Sequence, residues 1–200
     1  MKRTYNPPID VLLLCTANQC RSPMAEVLLR LRLSTVGVDA AVSSAGLYEG
    51  GAPATGHGIA AMAARGLDLG EHQSRRMDAA MLRKADLVIG MAREHVREAV
   101  VLHPDALAKA FTLKELVRGA EAVGTRAADE ALDAWLGRIA AARPLSALQG
   151  LGHDDELDVA DPVGRDQAAY EVTADLLEQL LGRVVALAFG ARDRQQEQCA

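Results

Sequence analysis

The chain carries a cysteine and an arginine separated by five residues, a spacing that suits phosphate chemistry. Cys15 opens a polar loop that ends in Arg21 and Ser22, directly after the apolar run at residues 9–14. A tight turn from a strand into a helix points backbone N–H groups inward, and these groups, with the helix dipole, bind a tetrahedral oxyanion. The same positive field favours the thiolate of a cysteine at the bottom of the loop. We therefore expect the loop to hold a phosphoryl group that Cys15 attacks.

The other loop residues are expected to assist this attack. Arg21 can fold back over the loop and offer two donors to phosphate oxygens. Ser22 can donate its hydroxyl to the sulfur of Cys15 and stabilise it as a leaving group. A thiolate that attacks phosphorus forms a covalent cysteinyl-phosphate, which divides one difficult displacement into two easier ones. The expected phosphate-binding residues are Thr16, Ala17, Asn18, Gln19, Cys20, Arg21 and Ser22.

Asp161 is the candidate for the general acid that such a reaction requires. An alkoxide or phenoxide leaves poorly unless its oxygen receives a proton. Asp161 precedes Pro162, which favours an extended turn at the aspartate, and it follows the acidic segment at residues 154–156. Neighbouring negative charge and partial burial help a carboxyl group to keep its proton. In the second step the same carboxylate would activate water.

The surrounding pattern predicts the elements that position these groups. Residues 9–14 indicate a strand buried on both faces, and Ser22 and Pro23 indicate the N-cap and first position of a helix that runs to about residue 36. Further strands are predicted at 40–45, 85–91 and 110–113, and further helices at 59–65, 79–83, 93–102, 114–117, 129–142 and 167–188. Strands that alternate with helices form a parallel sheet, so we predict an α/β fold with ligands at the carboxyl ends of its strands.

Length and composition indicate one ordinary domain. We assign residues 1–200 to a single domain, with a helical insertion at about 119–150 and a frayed tail at 192–200. Half of the residues are hydrophobic but only 3% are aromatic, which favours helices over a modest sheet. The net charge of −5 does not support a nucleic-acid partner. No apolar run approaches the roughly 20 residues that span a membrane, and we expect no membrane partner.

The cysteines and histidines indicate where the protein is located and whether it binds a metal. Three cysteines do not form a disulfide framework, and no signal peptide is evident, so we expect a cytoplasmic protein with Cys199 as a bystander. The histidines show no ligand spacing, and we expect neither a metal nor another cofactor. The sequence leaves the oligomeric state open.

The segment from Cys15 to Pro23 resembles the signature of the low-molecular-weight protein tyrosine phosphatases. Asp161-Pro162 resembles the general-acid motif of that family, and its place downstream of the nucleophile selects this group among cysteine phosphatases. The similarity extends from about Val11 to the last helix and includes Ser43-Ser44-Ala45-Gly46 and His72-x-x-Arg75. The resemblance implies a single three-layer, flavodoxin-like α/β domain with a four-stranded parallel sheet and helices on both faces. It also implies a phosphorylated protein or peptide, above all a phosphotyrosine protein, as substrate.

The resemblance implies roles for several further residues. Asn18 would hold the loop in shape through Ser22, a serine of the Ser43-Ser44 pair, here taken as Ser43, and His72. Cys20 would form a reversible disulfide with Cys15 under oxidation. Tyr48 would form one wall of the substrate crevice, together with Gln19 and Val163.

Three positions depart from the family pattern. Ala17 stands where the loop usually has Gly, and we expect a negative φ there because a positive φ would strain alanine. Gln19 replaces an aliphatic residue of the tyrosine-specific members or a threonine of the phosphoarginine-specific ones. Val163 replaces an aromatic residue that stacks on phosphotyrosine. We expect the changes at Gln19 and Val163 to weaken phosphotyrosine specificity and to leave the phosphate chemistry intact.

Three alternatives to a phosphotyrosine phosphatase remain open. One is a phosphoarginine phosphatase. Another is an arsenate reductase, since arsenate fits the same cradle; no cysteine lies between Cys20 and Cys199 to serve as a relay, so this version would need a small external thiol. The last is an oxyanion-binding module without turnover, which would have no need of Asp161.

Overall fold

Parallel strands form the centre of the computed structural model, which describes residues 8–143 and 156–190. The strands are β1 (Ile9–Cys15), β2 (Ala40–Gly46), β3 (Leu87–Gly90) and β4 (Ala110–Thr112). They lie in the order β2-β1-β3-β4, and every pair is parallel. The predicted α/β fold with a four-stranded parallel sheet is confirmed.

Helices connect the strands and cover both faces of the sheet. The described helices are α1 (Arg21–Thr35), α2 (Gly56–Ala63), α3 (Ala79–Lys84), α4 (Arg93–Leu102), α5 (Leu113–Val123), α6 (Leu132–Ala141) and α7 (Gln167–Phe189), with a 3₁₀ helix at Pro104–Ala108. None of them is long and apolar enough to cross a membrane within the described ranges.

The alternation of side chains along β1 divides the core into two layers. Val11 and Leu13 belong to the larger apolar cluster, which also contains residues of α1, α5 and α7. Leu12 and Leu14 point to the opposite face and join a smaller cluster with Leu82 of α3 and residues of α4. Because successive residues of a strand face opposite sides, a strand buried on both faces is apolar throughout, as the sequence of β1 indicates.

Several helix boundaries differ from the sequence prediction. Helix α2 begins at Gly56, three residues early, and α6 begins at Leu132, three residues late. Helix α1 begins at Arg21 with Cys20 at the N-cap, so the prediction of Ser22 as N-cap is wrong. The Ser22 hydroxyl does not cap the helix because it takes part in the contacts of the loop. Helix α5 continues to Val123, well beyond residue 117, and begins in a capping box in which Thr112 and Glu115 bond each other's backbone N–H.

The domain predictions are only partly within the described residues. The end of α5 and all of α6 lie between residues 119 and 143, and the assignment of 119–150 as an insertion stays a prediction. Residues 144–150 and the tail at 192–200 lie outside the described ranges.

The strand order places the loops after β1 and β3 side by side. β1 lies between β2 and β3, so the chain leaves the sheet centre in opposite directions from these neighbouring strands. Parallel sheets bind ligands at such a switch point, in the crevice outside the carboxyl ends of the strands. The Cys15 loop and the β3–α4 connection meet at this point.

Candidate active site

The loop after β1 contains one strained residue, Asn18. Among the described non-glycine residues, Asn18 alone has a positive φ, at 53°. Asparagine tolerates this left-handed conformation better than most side chains. The expectation of a negative φ at Ala17 is therefore confirmed, and alanine at that position costs no left-handed strain.

Gly46, at the end of β2, allows the loop to approach the sheet. A Cβ atom at this position would lie 2.8 Å from the Asn18 nitrogen and 2.8 Å from the Thr16 carbonyl oxygen. The N–H groups of Leu47 and Tyr48 donate to that same carbonyl at 2.7 and 3.3 Å. The strand end thus holds the back of the loop at a distance that only glycine permits.

The side chain of Asn18 joins the loop to its surroundings. It is fully buried, and its Nδ2 donates to the hydroxyls of Ser22 (3.0 Å) and Ser44 (2.8 Å). Its Oδ1 accepts from the backbone N–H of Arg75 at 3.0 Å, while a ring nitrogen of His72 donates to its backbone carbonyl at 2.6 Å. The predicted contacts of Asn18 with Ser22 and His72 are confirmed.

The prediction of Ser43 as the supporting serine is wrong. Ser44 makes the contact with Asn18, because successive residues of β2 face opposite sides and the paired register directs Ser44 to the loop. Ser44 also donates to Glu26 Oε2 at 2.6 Å. Sequence reasoning missed Glu26, which lies one helical turn beyond Ser22 on the same face of α1.

Cys15 and Ser22 are in contact at the bottom of the loop. Cys15 Sγ lies 3.0 Å from Ser22 Oγ, and both side chains are buried. Because Ser22 Oγ already accepts from Asn18, its own proton is free to point at the sulfur. Within the described ranges, no backbone carbonyl accepts from the N–H groups of residues 17–22. The loop therefore presents uncommitted donors around the thiol, as an oxyanion site requires.

The Arg21 side chain connects the loop with Asp161. It is 5% exposed, and its Nη1 donates to the Val159 carbonyl at 3.0 Å. Its Nη2 donates to Thr16 Oγ1 at 3.3 Å and to Asp161 Oδ2 at 2.5 Å. Its Nε is buried and has no hydrogen-bond partner among the described residues. A buried N–H of a charged group without an acceptor is a ready donor for an anion.

The loop that carries Asp161 is fixed to the end of β3. The N–H of Val159 donates to the Met91 carbonyl at 2.7 Å. Asp158 is 3% exposed, and its Oδ1 accepts from the backbone N–H of Arg93 at 2.8 Å, at the N-terminus of α4. A carboxylate is stabilised at this end of a helix. Asp158 lacks a sequence signal of its own, and sequence reasoning missed it.

Cys20 is part of the Cys15 loop and lies in an environment that favours the neutral thiol. Burial, with the negative charges of Asp161 and Cys15, raises the pKa of Cys20 to about 12. Cys15 and Cys20 are both unbridged. The reversible disulfide between them stays a prediction.

The three expected crevice residues lie around the loop but differ in exposure. Gln19 is half-buried, and its carbonyl accepts from the N–H of Thr55. Tyr48 is 63% exposed and Val163 is 56% exposed. Val163 is joined to Asp161 through its backbone N–H, which donates to Oδ1 at 3.2 Å. Their role in substrate selection stays a prediction.

His95 is a further residue at this site that sequence reasoning missed. It is fully buried in the first turn of α4, and its Nε2 lies 3.1 Å from Thr16 Oγ1. The sequence could have indicated this role, because His95 lies in the first turn of the helix that follows β3, and the end of β3 adjoins the Cys15 loop at the switch point. Within the described ranges, no group of three or more His, Cys, Asp or Glu side chains has the arrangement of a metal site.

Comparisons with known proteins agree with this geometry. Residues 10–129 match the model of the family described as low molecular weight phosphotyrosine protein phosphatase. The chain belongs to this family. It is 34% identical over 143 residues to the probable low molecular weight protein-tyrosine-phosphatase EpsP of Ralstonia nicotianae, covering 66% of this chain and 96% of that protein.

The comparisons also include phosphatases of another specificity. The chain is 29% identical over 174 residues to the protein-arginine-phosphatase of Bacillus subtilis, covering 86% of this chain and 92% of that protein. Among solved structures, a mutant of YwlE from Bacillus subtilis superposes with a TM-score of 0.67 at 28% identity and covers 88% of this chain and 95% of that one.

A low molecular weight protein tyrosine phosphatase from T. tengcongensis superposes with a TM-score of 0.66 at 29% identity, covering 88% of this chain and 97% of that one. The fold and the family together identify the chain as a cysteine-based phosphatase, a hydrolase that acts on phosphorylated substrates.

Proposed function

We propose that the chain dephosphorylates proteins, phosphotyrosine above all, with Cys15 as nucleophile, Arg21 as phosphate binder and Asp161 as general acid. The supporting observation is the position of Arg21. Its Nη2 lies between Thr16 and Asp161, and its Nε is buried without a partner among the described residues. One cation therefore joins the loop to the candidate acid and retains a donor for substrate.

The first step transfers the phosphoryl group to the enzyme. The Cys15 thiolate attacks phosphorus, the P–O ester bond breaks, and its electron pair leaves with the ester oxygen, which takes a proton from Asp161. The phosphoryl oxygens accept hydrogen bonds from the N–H groups of the loop and from the Arg21 guanidinium. Asp161 is paired with Arg21 in the free enzyme, so the incoming phosphoryl group takes over the cation, and the released carboxylate takes up a proton from solvent or from the substrate monoanion before it acts as the acid.

The second step releases phosphate. Asp161, now ionised, takes a proton from water, the water oxygen attacks phosphorus, and the P–S bond breaks. The thiolate that departs receives the hydrogen bond of Ser22, whose oxygen lies 3.0 Å from the sulfur. The proton and the electron pair thus return to their starting positions, and no cofactor is needed.

Phosphoarginine is the second candidate substrate, favoured by the two sequence departures in the crevice. Val163 offers no aromatic face for a phosphotyrosine ring, and Gln19 offers an amide that can bond a polar side chain. The protein-arginine-phosphatase of Bacillus subtilis also covers more of this chain than EpsP does. We place either reaction in the cytoplasm, which is supported by the two unbridged loop cysteines.

Turnover of aryl phosphates with good and poor leaving groups tests the mechanism. We expect Cys15→Ser to abolish turnover, and Asp161→Asn to slow the poor leaving group by roughly 10²-fold while slowing the good one far less. Full activity of Cys15→Ser would disprove the nucleophile, and an equal loss for both leaving groups would disprove the acid.

A substrate panel then separates the remaining functions. It contains peptides with phosphotyrosine, phosphoserine and phosphoarginine, and arsenate with a small thiol. Highest kcat/KM on phosphotyrosine supports the main proposal. Highest kcat/KM on phosphoarginine replaces it with the second candidate, arsenate reduction replaces it with a reductase, and binding of inorganic phosphate without turnover leaves a binding module.

A further inference from the structure

His95 takes no part in the proposed steps, yet both of its ring nitrogens have partners. Nδ1 accepts from the backbone N–H of Ala92 at 2.8 Å. An N–H group can only donate, so Nδ1 carries no proton, and the neutral ring must carry its proton on Nε2. Nε2 lies 3.1 Å from Thr16 Oγ1 and 3.3 Å from Glu94 Oε1, and it donates to the nearer of the two, the Thr16 hydroxyl. The tautomer of His95 is thus determined by its surroundings.

The Thr16 hydroxyl is the point where His95 meets the phosphate loop. It receives the proton of His95 Nε2, and it also accepts from Arg21 Nη2 at 3.3 Å. Its own proton points to Glu94 Oε1, which lies 3.3 Å away and is part of α4. Two donors and one acceptor therefore determine the rotation of the hydroxyl. Without His95, the hydroxyl could turn its proton towards the guanidinium and lose the Arg21 contact.

The environment keeps His95 in the state that can act in this way. Burial and, to a smaller extent, the positive charge of Arg21 together lower the pKa of His95 to about 3. A protonated ring would confront Arg21 and lose the bond from Ala92. Gly90 contributes space, because a Cβ atom there would lie 3.2 Å from His95 Cβ and 2.9 Å from a Val96 methyl group.

We propose that His95 is a positioning residue for phosphate binding, which orients the Thr16 hydroxyl by donating from Nε2 and thereby holds the Arg21 guanidinium over the loop. This inference rests on the proposed role of the loop. It adds a residue 79 positions away from Thr16 to the phosphate site and gives the β3–α4 connection a part in substrate binding.

A simpler role for His95 is to cap α4. A side chain at the third position of a helix often accepts from the N-cap N–H, as His95 does from Ala92. The two roles separate by substitution. Gln at position 95 can accept through its amide oxygen and donate through its amide nitrogen, so it keeps both bonds. Leu keeps neither, and Thr16→Val removes the hydroxyl without touching the cap.

The test is a double-mutant cycle on phosphate affinity. Competitive inhibition by inorganic phosphate, and kcat and KM for p-nitrophenyl phosphate, are measured for His95→Leu, Thr16→Val, the double variant and His95→Gln. We expect each single variant to weaken phosphate binding roughly tenfold, as for one lost bond to a charged group. The double variant should lose no more than either single one, and His95→Gln should stay close to wild type.

Independent effects would overturn the inference. A double variant weakened by about 100-fold, the product of the single losses, means that the residues do not act together. A His95→Leu protein that melts earlier but binds phosphate normally means that the residue only caps the helix. If His95→Leu does not fold, Thr16→Val and His95→Gln decide: Thr16→Val should weaken phosphate binding roughly tenfold while His95→Gln stays close to wild type. Normal binding by Thr16→Val, or weak binding by His95→Gln, contradicts the role.

These failures differ from failure of the proposed function. If the wild-type protein turns over no phosphate ester, or if phosphate does not compete with substrate, the proposed function fails. If the wild type is active and the losses of His95→Leu and Thr16→Val multiply in the double variant, only the role of His95 fails.

Discussion

Asn18→Ala removes the residue that holds the phosphate loop in shape. The side chain makes three hydrogen bonds, two as donor to the hydroxyls of Ser22 and Ser44 and one as acceptor from Arg75 N–H. It also adopts φ 53°, a conformation that alanine resists. The substitution therefore affects both the contacts of the loop and its backbone.

The magnitude follows from these two effects. Each lost hydrogen bond costs about 1 kcal/mol net, and the left-handed conformation of alanine adds about 1 kcal/mol. We expect the free energy of unfolding to fall by about 4 kcal/mol, a large part of the 5–15 kcal/mol that is usual for a domain. Ser22 would lose the donor that fixes its hydroxyl against Cys15, so kcat/KM should fall by at least roughly tenfold.

Urea denaturation and p-nitrophenyl phosphate turnover measure the two consequences. Asn18→Gly loses the same bonds but tolerates the backbone, so it should be about 1 kcal/mol more stable than Asn18→Ala. Ser43→Ala, on the opposite face of β2 from Ser44, is the matched control and should stay within about 0.5 kcal/mol of wild type. An Asn18→Ala protein that keeps its stability to within about 1 kcal/mol and its full kcat/KM would refute the reasoning.

Three further measurements test other parts of the site. Gly46→Ala places a methyl group 2.8 Å from loop backbone atoms, so it should lower the free energy of unfolding by about 1–3 kcal/mol and weaken inhibition by phosphate. Gly56→Ala places its methyl group in open space, so the protein should keep or gain stability and be inhibited by phosphate as before. Thermal melting that does not separate the two variants would contradict the packing argument. The folded state lowers the pKa of His95 to about 3, so the unfolded state binds a proton first as the pH falls below about 6.5. The free energy of unfolding should therefore decline between about pH 6.5 and about pH 3, by up to about 1.4 kcal/mol per pH unit relative to His95→Gln. Parallel stability curves for the two proteins would argue against a buried neutral ring. Iodoacetamide at pH 7, followed by peptide mapping, should modify Cys15 and spare Cys20, whose pKa burial raises to about 12; equal labelling of both would contradict that environment.

Much of the site was predictable because its residues lie within one short segment. Cys15, Asn18, Arg21 and Ser22 belong to a single strand–loop–helix unit, and their spacing alone determines which groups can surround a phosphate. Asp161 was predictable for a different reason, since the proline after it and the resemblance to a known family mark it. The structure brings Asp161 to within 2.5 Å of Arg21.

The boundary of α1 was not predictable from local preference. Ser22 and Pro23 have the residue types of an N-cap and a first helical position, yet α1 begins at Arg21. The Ser22 hydroxyl contacts Cys15 and Asn18 instead, because tertiary contacts in a functional loop outweigh a capping bond of about 1 kcal/mol.

The sequence by itself determined the class of this protein, a phosphatase, because the proposed nucleophile, the proposed phosphate binder and their loop are neighbours along the chain. It also determined the parallel sheet, because strands alternate with helices. The tertiary structure alone decided which distant residues support the loop. The register of β2 selects Ser44 over Ser43, and the strand order places His95 against Thr16 and Asp158 against the start of α4. Such contacts join residues far apart in the chain, and they depend on which face of a strand or helix points to the switch point of the sheet.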